Sequence, residues 1–279
     1  MAFNVAALTN YVKENADSLF MSSLFDAQTQ KIIQDAGNVM LDVKSAETIN
    51  ILDTDANFQD DSGCAFNASG TTTFTQRTLT VGKIKVDEAL CPKDLETKYL
   101  QKKLPKGSTY TEIVFAQEYM DRKAGKIAQQ LEVAIWKGDT ASGSQNINKF
   151  DGFQKIIGAA AGVVDGNVNA WTGAGVIATI TAANVMTVVK AIKNALPAAI
   201  MGKEDVIIWA GWDVFNLIVD AHVSANLFAY GGQNIKNGRF VIPGTAYEVV
   251  AVHGLDGTGD LYGMRLSNMY LGTDVLNEE

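Results

Sequence analysis

The sequence has few of the residues that usually build catalytic or metal sites. Its 279 residues include two cysteines, Cys64 and Cys91, and two histidines, His222 and His253. Two thiols this far apart are too few for a disulfide framework or a thiolate metal site. Neither histidine lies in a motif for metal binding or for activating a nucleophile. We therefore expect no catalytic residue, no cofactor and no metal.

The sequence also lacks a basic surplus and a long hydrophobic run. The formal net charge is −8, the opposite of what a dedicated nucleic-acid binder carries. There is no apolar run of membrane-spanning length and no secretion signal at the start, so we expect cytoplasmic synthesis. Apolar residues make up 47% of the chain and charged residues 19%. That balance is ample for a core and leaves apolar surface to meet other copies of the chain.

One segment does not suit a core. Residues 53–76 are acidic and then rich in Gly, Ser and Thr, with isolated aromatics, and they read as the tip of a long two-stranded excursion. The segments KSAETINIL and FTQRTLTVGKIKVDEA read as its outgoing and returning arms, with strict alternation over 83–87. A lone hairpin of this length is marginal in water. Something must therefore lie against it, which favours an intersubunit arm over the alternative of a disordered loop.

The strongest helical pattern follows. Apolar residues recur at spacings of three and four from about 111 to 137, which predicts a helix roughly 40 Å long. Thr109 and Glu112 form a candidate capping box, and Gly138 stands where a left-handed C-terminal cap belongs. The pattern reaches Trp136; a polar loop then leads to a short amphipathic run that begins at Phe150-Asp151-Gly152. The apolar face comprises Ile113, Ala116, Met120, Ala124, Ile127, Leu131 and Ala134.

The second half of the chain mixes short helices and strands. A helix capped by Thr181 is expected to end at Pro197, followed by a buried strand at 205–210 and a helix at 212–222. The remainder reads as strands joined by turns, including a type II turn at Pro243-Gly244. The class is α+β.

Two motifs resemble known binding loops without completing them. Asp53, Asp55 and Asn57 begin like a calcium loop, but Phe58 and Cys64 occupy the positions that need Gly and Glu. The glycines of HGLDGTGDLYG, at 254–259, lie between strands and lack a following Lys-Ser or Lys-Thr. They are better explained by a hairpin turn than by a phosphate cradle.

The order of these parts, with IWKGD…FDGFQKII, WAGWD and GTAYEVV, resembles the major capsid protein of tailed bacteriophages, the Hong Kong ninety-seven fold. The resemblance covers nearly the whole chain. It implies an N-terminal arm at 1–42, an E-loop hairpin at 43–82, a peripheral domain with a long spine helix at 83–157, an axial domain at 158–245, and return strands to the peripheral domain at 246–279.

The resemblance also implies a role. Many copies would assemble through pentamers and hexamers into an icosahedral shell around double-stranded phage DNA, without sequence recognition and without a membrane. The chain would be made in the host bacterial cytoplasm and reside in the virion capsid. Its partners would be other copies, a portal, and separate scaffolding or decoration proteins. Residues 53–76 contain no Lys, so the covalent cross-link that some relatives form through an E-loop Lys is not expected.

Two sets of residues follow from the resemblance. The arm would contact a neighbouring subunit through Asp53, Asp55, Phe58, Asp60, Asp61, Phe66, Phe74 and Arg77. The spine helix and its hinge would involve Glu112, Met120, Ile127, Trp136, Gly138, Phe150 and Gly152. The alternatives are an encapsulin-type shell around a cargo enzyme and, from another class, an α+β hydrolase or ligand-binding domain with a deep pocket.

Overall fold

The structure is a computed structural model that describes residues 27–58, 69–88, 112–166, 179–224 and 235–274. Helices and strands are mixed in these ranges, so the predicted α+β class is confirmed. The helices are α1 (Gln28–Asp35), α2 (Glu112–Lys137), α3 (Phe153–Ala159), α4 (Val185–Ala195) and α5 (Trp212–Ser224). The strands are β1 (Val39–Met40), β2 (Ala46–Thr54), β3 (Thr72–Thr80), β4 (Val206–Gly211), β5 (Ile235–Lys236), β6 (Arg239–Val241), β7 (Glu248–Val252), β8 (Leu261–Arg265) and β9 (Leu271–Gly272).

A five-stranded sheet with the order β5-β6-β7-β4-β8 forms the centre of the described fold. Strand β4 pairs parallel to β7 and antiparallel to β8. Every residue of β4 is buried, which explains why the segment reads as a continuous apolar run rather than as an alternating one.

Alternate side chains of β4 and β7 supply two separate cores. Ile208 and Ala251 face one side, where α4 and α5 cover the sheet with Val189 and Ile218. Trp209 and other residues of the opposite parity face the second side. The end of α2 covers that side together with α1 and the beginning of α3. The result is a sheet with helices on both faces.

Helix α2 agrees closely with its prediction, but its end does not. Gly138 is not left-handed. Its amide continues the helix by donating to the carbonyl of Ala134 at 2.8 Å. A Cβ on Gly138 would lie 2.5–2.8 Å from Phe150 O, Ala134 O and Gly152 N. The glycine is therefore required by the close approach of the chain at Gly152 rather than by a cap. Thr109, the other half of the proposed capping box, lies outside the described residues.

Three further local predictions are wrong. Residues 83–87 form no strand, because the ladder with β2 ends where Val81 N bonds to Ser45 O. Asn184 rather than Thr181 directly precedes α4, and the Asn184 side chain accepts a hydrogen bond from the Thr181 amide. The glycines at 254–259 do not close a hairpin, because β4 lies between β7 and β8 in the sheet.

The predicted type II turn has the expected geometry. Gly244 has a φ of 77°, the conformation that position i+2 of this turn requires. The amide of Thr245 closes the turn by donating to the carbonyl of Ile242 at 3.1 Å.

A small parallel pair of strands, β1 and β9, lies at the foot of the hairpin. Val39 is opposite Leu271 and Met40 is opposite Gly272, and Val43 N extends the ladder to Thr273 O. The segment that follows residue 245 thus contributes β7 and β8 to the central sheet and β9 to this smaller pair.

Candidate functional site

Strands β2 and β3 form the two-stranded hairpin that the sequence predicts. Nine residue pairs are in register, from Ala46 with Thr80 to Thr54 with Thr72. At about 3.4 Å per residue, the paired part is about 27 Å long. Beyond it, the amide of Asp55 donates to Thr71 O, and the amide of Thr71 donates to the Asp55 carboxylate at 2.5 Å.

The hairpin is exposed along almost its whole length. Sixteen of its eighteen strand residues are exposed, and only Ile49 and Leu79 are partly buried. Large apolar side chains stand in solvent: Leu52 is 57% exposed, Phe74 76% and Phe58 fully. An isolated two-stranded ribbon is marginally stable in water, and exposed apolar groups of this kind mark interaction surfaces.

The base of the hairpin is fixed to the rest of the fold. Leu79 packs against Gly272 of β9, where a Cβ would lie 2.7 Å from the leucine Cδ2. Two residues beyond β3, Gly82 lies so close to the carbonyl of Lys149 that a Cβ would overlap it. The hairpin therefore projects from a defined platform made by β9 and the loop before α3.

The same platform includes the end of α2. The Trp136 indole is buried and lies 5.5 Å, centroid to centroid, from the rings of both Phe153 and Trp209. It stacks on Tyr262 at 6.0 Å. Four aromatic rings from α2, α3, β4 and β8 thus meet at one point, which holds the helix end rigidly against the sheet.

The loop between α2 and α3 is closed by a charged cluster. Lys155 Nζ donates to Asp139 Oδ1 at 2.6 Å and to Asp151 Oδ1 at 2.8 Å, and Thr140 N also donates to Asp151 Oδ1. The bond from Lys155, followed by that from Thr140, lowers the pKa of Asp151 to about 2. Together with the contact between Gly138 and Gly152, this cluster fixes the path of the chain between the two helices.

A buried polar network joins α1 to α2. The Glu132 carboxylate, 4% exposed, accepts hydrogen bonds from the Thr29 amide at 2.9 Å and from the Thr29 hydroxyl. The Trp136 Nε1 donates to the same hydroxyl at 2.7 Å. Burial raises the pKa of Glu132, although the bonds from Thr29 oppose the rise. The carboxylate serves as the N-terminal cap of α1, whose preceding residue Ala27 has no capping side chain.

The sequence patterns described above do not predict this network. Glu132 interrupts the apolar pattern of α2 between Leu131 and Ala134, and an acidic residue on a buried helix face is the signal that would have pointed to it.

The segment after the hairpin is tied to the exposed part of α2. Glu88 accepts a hydrogen bond from Tyr119 Oη at 2.8 Å and forms an ion pair with Lys123. Burial, followed by the bond to Glu88, raises the pKa of Tyr119 to about 12. The hairpin and the helix are thus joined both at the platform and through Glu88.

The predicted residues fall into two places. Asp53, Asp55, Phe58, Phe74 and Arg77 belong to the hairpin, whereas Asp60, Asp61 and Phe66 lie outside the described residues. Trp136, Gly138, Phe150 and Gly152 meet at the platform; Met120 and Ile127 are half-buried along α2, and Glu112 is its first residue. A role for any of them in contacts between subunits stays a prediction.

The two histidines lie in different surroundings. His222 is buried edge-on against Phe240, and burial lowers its pKa. His253 Nδ1 lies 2.8 Å from Asp256 Oδ2 and its ring stacks on Trp212. Across the described ranges, no group of three or more His, Cys, Asp or Glu side chains is placed to hold a metal ion. None of the helices described is long and apolar enough to cross a bilayer.

One broad cleft runs along β8. Its volume is about 1310 Å³, and its walls include Ile156, Val163, Ile192, Leu217, Tyr262 and Arg265. The described part of this lining contains no histidine and no cysteine. It supplies apolar surface together with hydrogen-bonding groups.

Comparison of the chain with protein-family models, with curated proteins and with solved structures found no match. The features of the described residues that bear most directly on function are the exposed hairpin and the platform from which it projects.

Proposed function

We propose that the protein is the structural subunit of an icosahedral shell, of the major capsid protein class of tailed bacteriophages. Many copies close around double-stranded DNA without reading its sequence. The chain is made in the bacterial cytoplasm and resides in the capsid. Its partners are other copies, a portal, and separate scaffolding or decoration proteins.

One observation carries this proposal. The hairpin extends about 27 Å with sixteen of its eighteen strand residues exposed, and close contacts with Gly272 and Lys149 anchor its base. A segment that gains nothing from its own core still needs cover to be stable. In a shell that cover comes from a neighbouring subunit.

The exposed apolar side chains of Leu52 and Phe74 support contact between the hairpin and a neighbouring subunit. Each contact is small, and engagement of every subunit by several neighbours makes dissociation improbable.

The test removes the hairpin without disturbing its base. Glu47 pairs directly with Leu79, so replacing residues 48–78 by Asn-Gly closes the ribbon with a two-residue turn. This variant keeps the contact between Leu79 and Gly272. Wild-type protein and variant are produced in bacteria, separated by size-exclusion chromatography and imaged by negative-stain electron microscopy.

We expect closed particles of uniform diameter from the wild-type protein and folded, unassembled subunits from the variant. Particles from both proteins would overturn the role given to the hairpin. A wild-type protein that stays a monomer or a small oligomer would overturn the shell proposal itself. Particles that enclose a protein cargo instead of DNA would indicate an encapsulin-type shell.

A further inference from the structure

The hairpin has two chemically different faces. Because successive side chains of a strand alternate, the register assigns each residue to one face. The first, the uncharged face, comprises Ala46, Thr48, Asn50, Leu52, Thr54, Thr72, Phe74, Gln76, Thr78 and Thr80. The second, the charged face, comprises Glu47, Ile49, Ile51, Asp53, Thr73, Thr75, Arg77 and Leu79.

The charged face is the one turned toward the chain's own fold. Its members Ile49 and Leu79 are the only strand residues of the hairpin that are partly buried. Leu79 rests on Gly272, and Arg77 reaches the cleft beside β8. All ten residues of the uncharged face are exposed. The side of the hairpin that contacts its own subunit and the side that is fully open are therefore different.

The uncharged face has a defined centre. Leu52 stands directly opposite Phe74, and both side chains are more than half exposed. On one flank Gln76 donates to Asn50 at 2.9 Å, and on the other the hydroxyls of Thr54 and Thr72 lie 3.2 Å apart. These side-chain bonds order the polar groups on both sides of the apolar pair before any partner binds, which lowers the entropic cost of docking.

A surface of this composition is unusual for a free ribbon. Natural proteins protect exposed strands with charged side chains, because an uncharged one invites association. The centres of interfaces, by contrast, are depleted of charge and enriched in aromatic residues. We propose that the uncharged face is the docking surface for a second copy of this chain, with Leu52 and Phe74 as its anchor. This inference rests on the proposed shell function.

The size of the face favours an occupant that can repeat the contact, as copies of one chain do. A ribbon about 27 Å long and about 10 Å wide presents roughly 300 Å². A stable interface between two proteins usually buries about 800 Å² on each partner. The area of this face alone is therefore too small to hold two proteins together stably. In an assembly of identical subunits, each subunit provides one such contact and receives another, so the buried areas add up. A single unrelated partner makes the contact only once.

The test uses neighbouring residues on opposite faces. Leu52→Asp and Phe74→Asp place a charge at the centre of the uncharged face. Ile51→Asp and Thr75→Asp, one position away on the same strands, place it on the charged face and carry a similar strand-propensity cost. The assembled fraction is measured by sedimentation velocity at equal concentration, and thermal unfolding of the unassembled subunits checks that all four variants fold.

We expect Leu52→Asp and Phe74→Asp each to lower the apparent association constant by about tenfold or more, as loss of an interface anchor does. The two control variants should stay within about twofold of the wild type. If the wild type assembles and the controls are impaired equally or more, the assignment of the docking face is wrong and the shell proposal stands. If the wild type does not assemble at all, the proposed function fails first.

Discussion

The contact between Gly138 and Gly152 gives the sharpest test of the platform. A Cβ at Gly152 would lie 2.6 Å from Gly138 N, 2.6 Å from Trp136 O and 2.8 Å from Ile135 O. All three are backbone atoms, so no side chain can rotate away. To reach ordinary contact at 3.4 Å the two segments must separate by about 0.6–0.8 Å.

Overpacking of this kind costs about 1–3 kcal/mol, and three backbone contacts place Gly152→Ala near the upper end. For a chain of this size we expect the melting temperature to fall by about 4–6 °C. Gly158→Ala is the matched control, because Gly158 lies in α3, the helix that Gly152 directly precedes, and nothing outside the helix backbone lies within 4 Å of its would-be Cβ. There alanine should stabilise the helix by up to about 1 kcal/mol.

The two variants are compared by differential scanning calorimetry at one protein concentration. Opposite signs are expected, with Gly152→Ala lower and Gly158→Ala higher than the wild type. Equal small changes in both variants would refute the close backbone approach between Gly138 and Gly152.

The remaining predictions concern pH. The pKa of Asp151 is about 2 in the fold against an ordinary 3.8, so its contribution to stability is present above pH 3.8 and is lost as the pH falls toward 2. Asp151→Asn should flatten the dependence of the urea midpoint on pH in that window, and an unchanged slope would contradict the cluster around Lys155. The pKa of Glu132 is raised above 4.5, so its favourable contribution is present below pH 4.5 and is lost as the pH rises. Glu132→Gln should therefore remove part of the wild-type decline in stability above pH 4.5, and parallel curves would count against the buried carboxylate.

Strong local patterns made much of the fold predictable. The helix over 111–137 and the buried strand at 205–210 appear in the structure within one or two residues. The hairpin was predictable because two strand-like arms flank a segment unsuited to a core. In each case the signal is a repeat of apolar or strand-forming residues within one segment.

What could not be predicted depends on contacts between distant segments. The sequence predicts a helix cap at Gly138, which is the common local reason for a glycine there, but the close approach of Gly152 is what requires it. The glycines at 254–259 predict a hairpin because the sequence does not reveal that β4 lies between β7 and β8. Nor does it reveal that Glu132 caps α1 across more than one hundred residues.

The candidate site, too, was predictable only in part. The exposure of the hairpin was inferred from composition alone. The split between a charged face and an uncharged one required the register, because a shift of one residue exchanges the faces completely. Leu52 was consequently not among the predicted contact residues, although Phe74, its partner across the strands, was.

Amide hydrogen exchange of the hairpin tests most directly whether another copy of the chain covers it. Exchange is measured by mass spectrometry for peptides spanning 46–54 and 72–80, in dissociated subunits and in assembled particles. We expect fast exchange of the hairpin in the subunits and strong protection after assembly, with β4 and β7 protected in both states. Equal exchange of the hairpin in the two states would contradict that expectation.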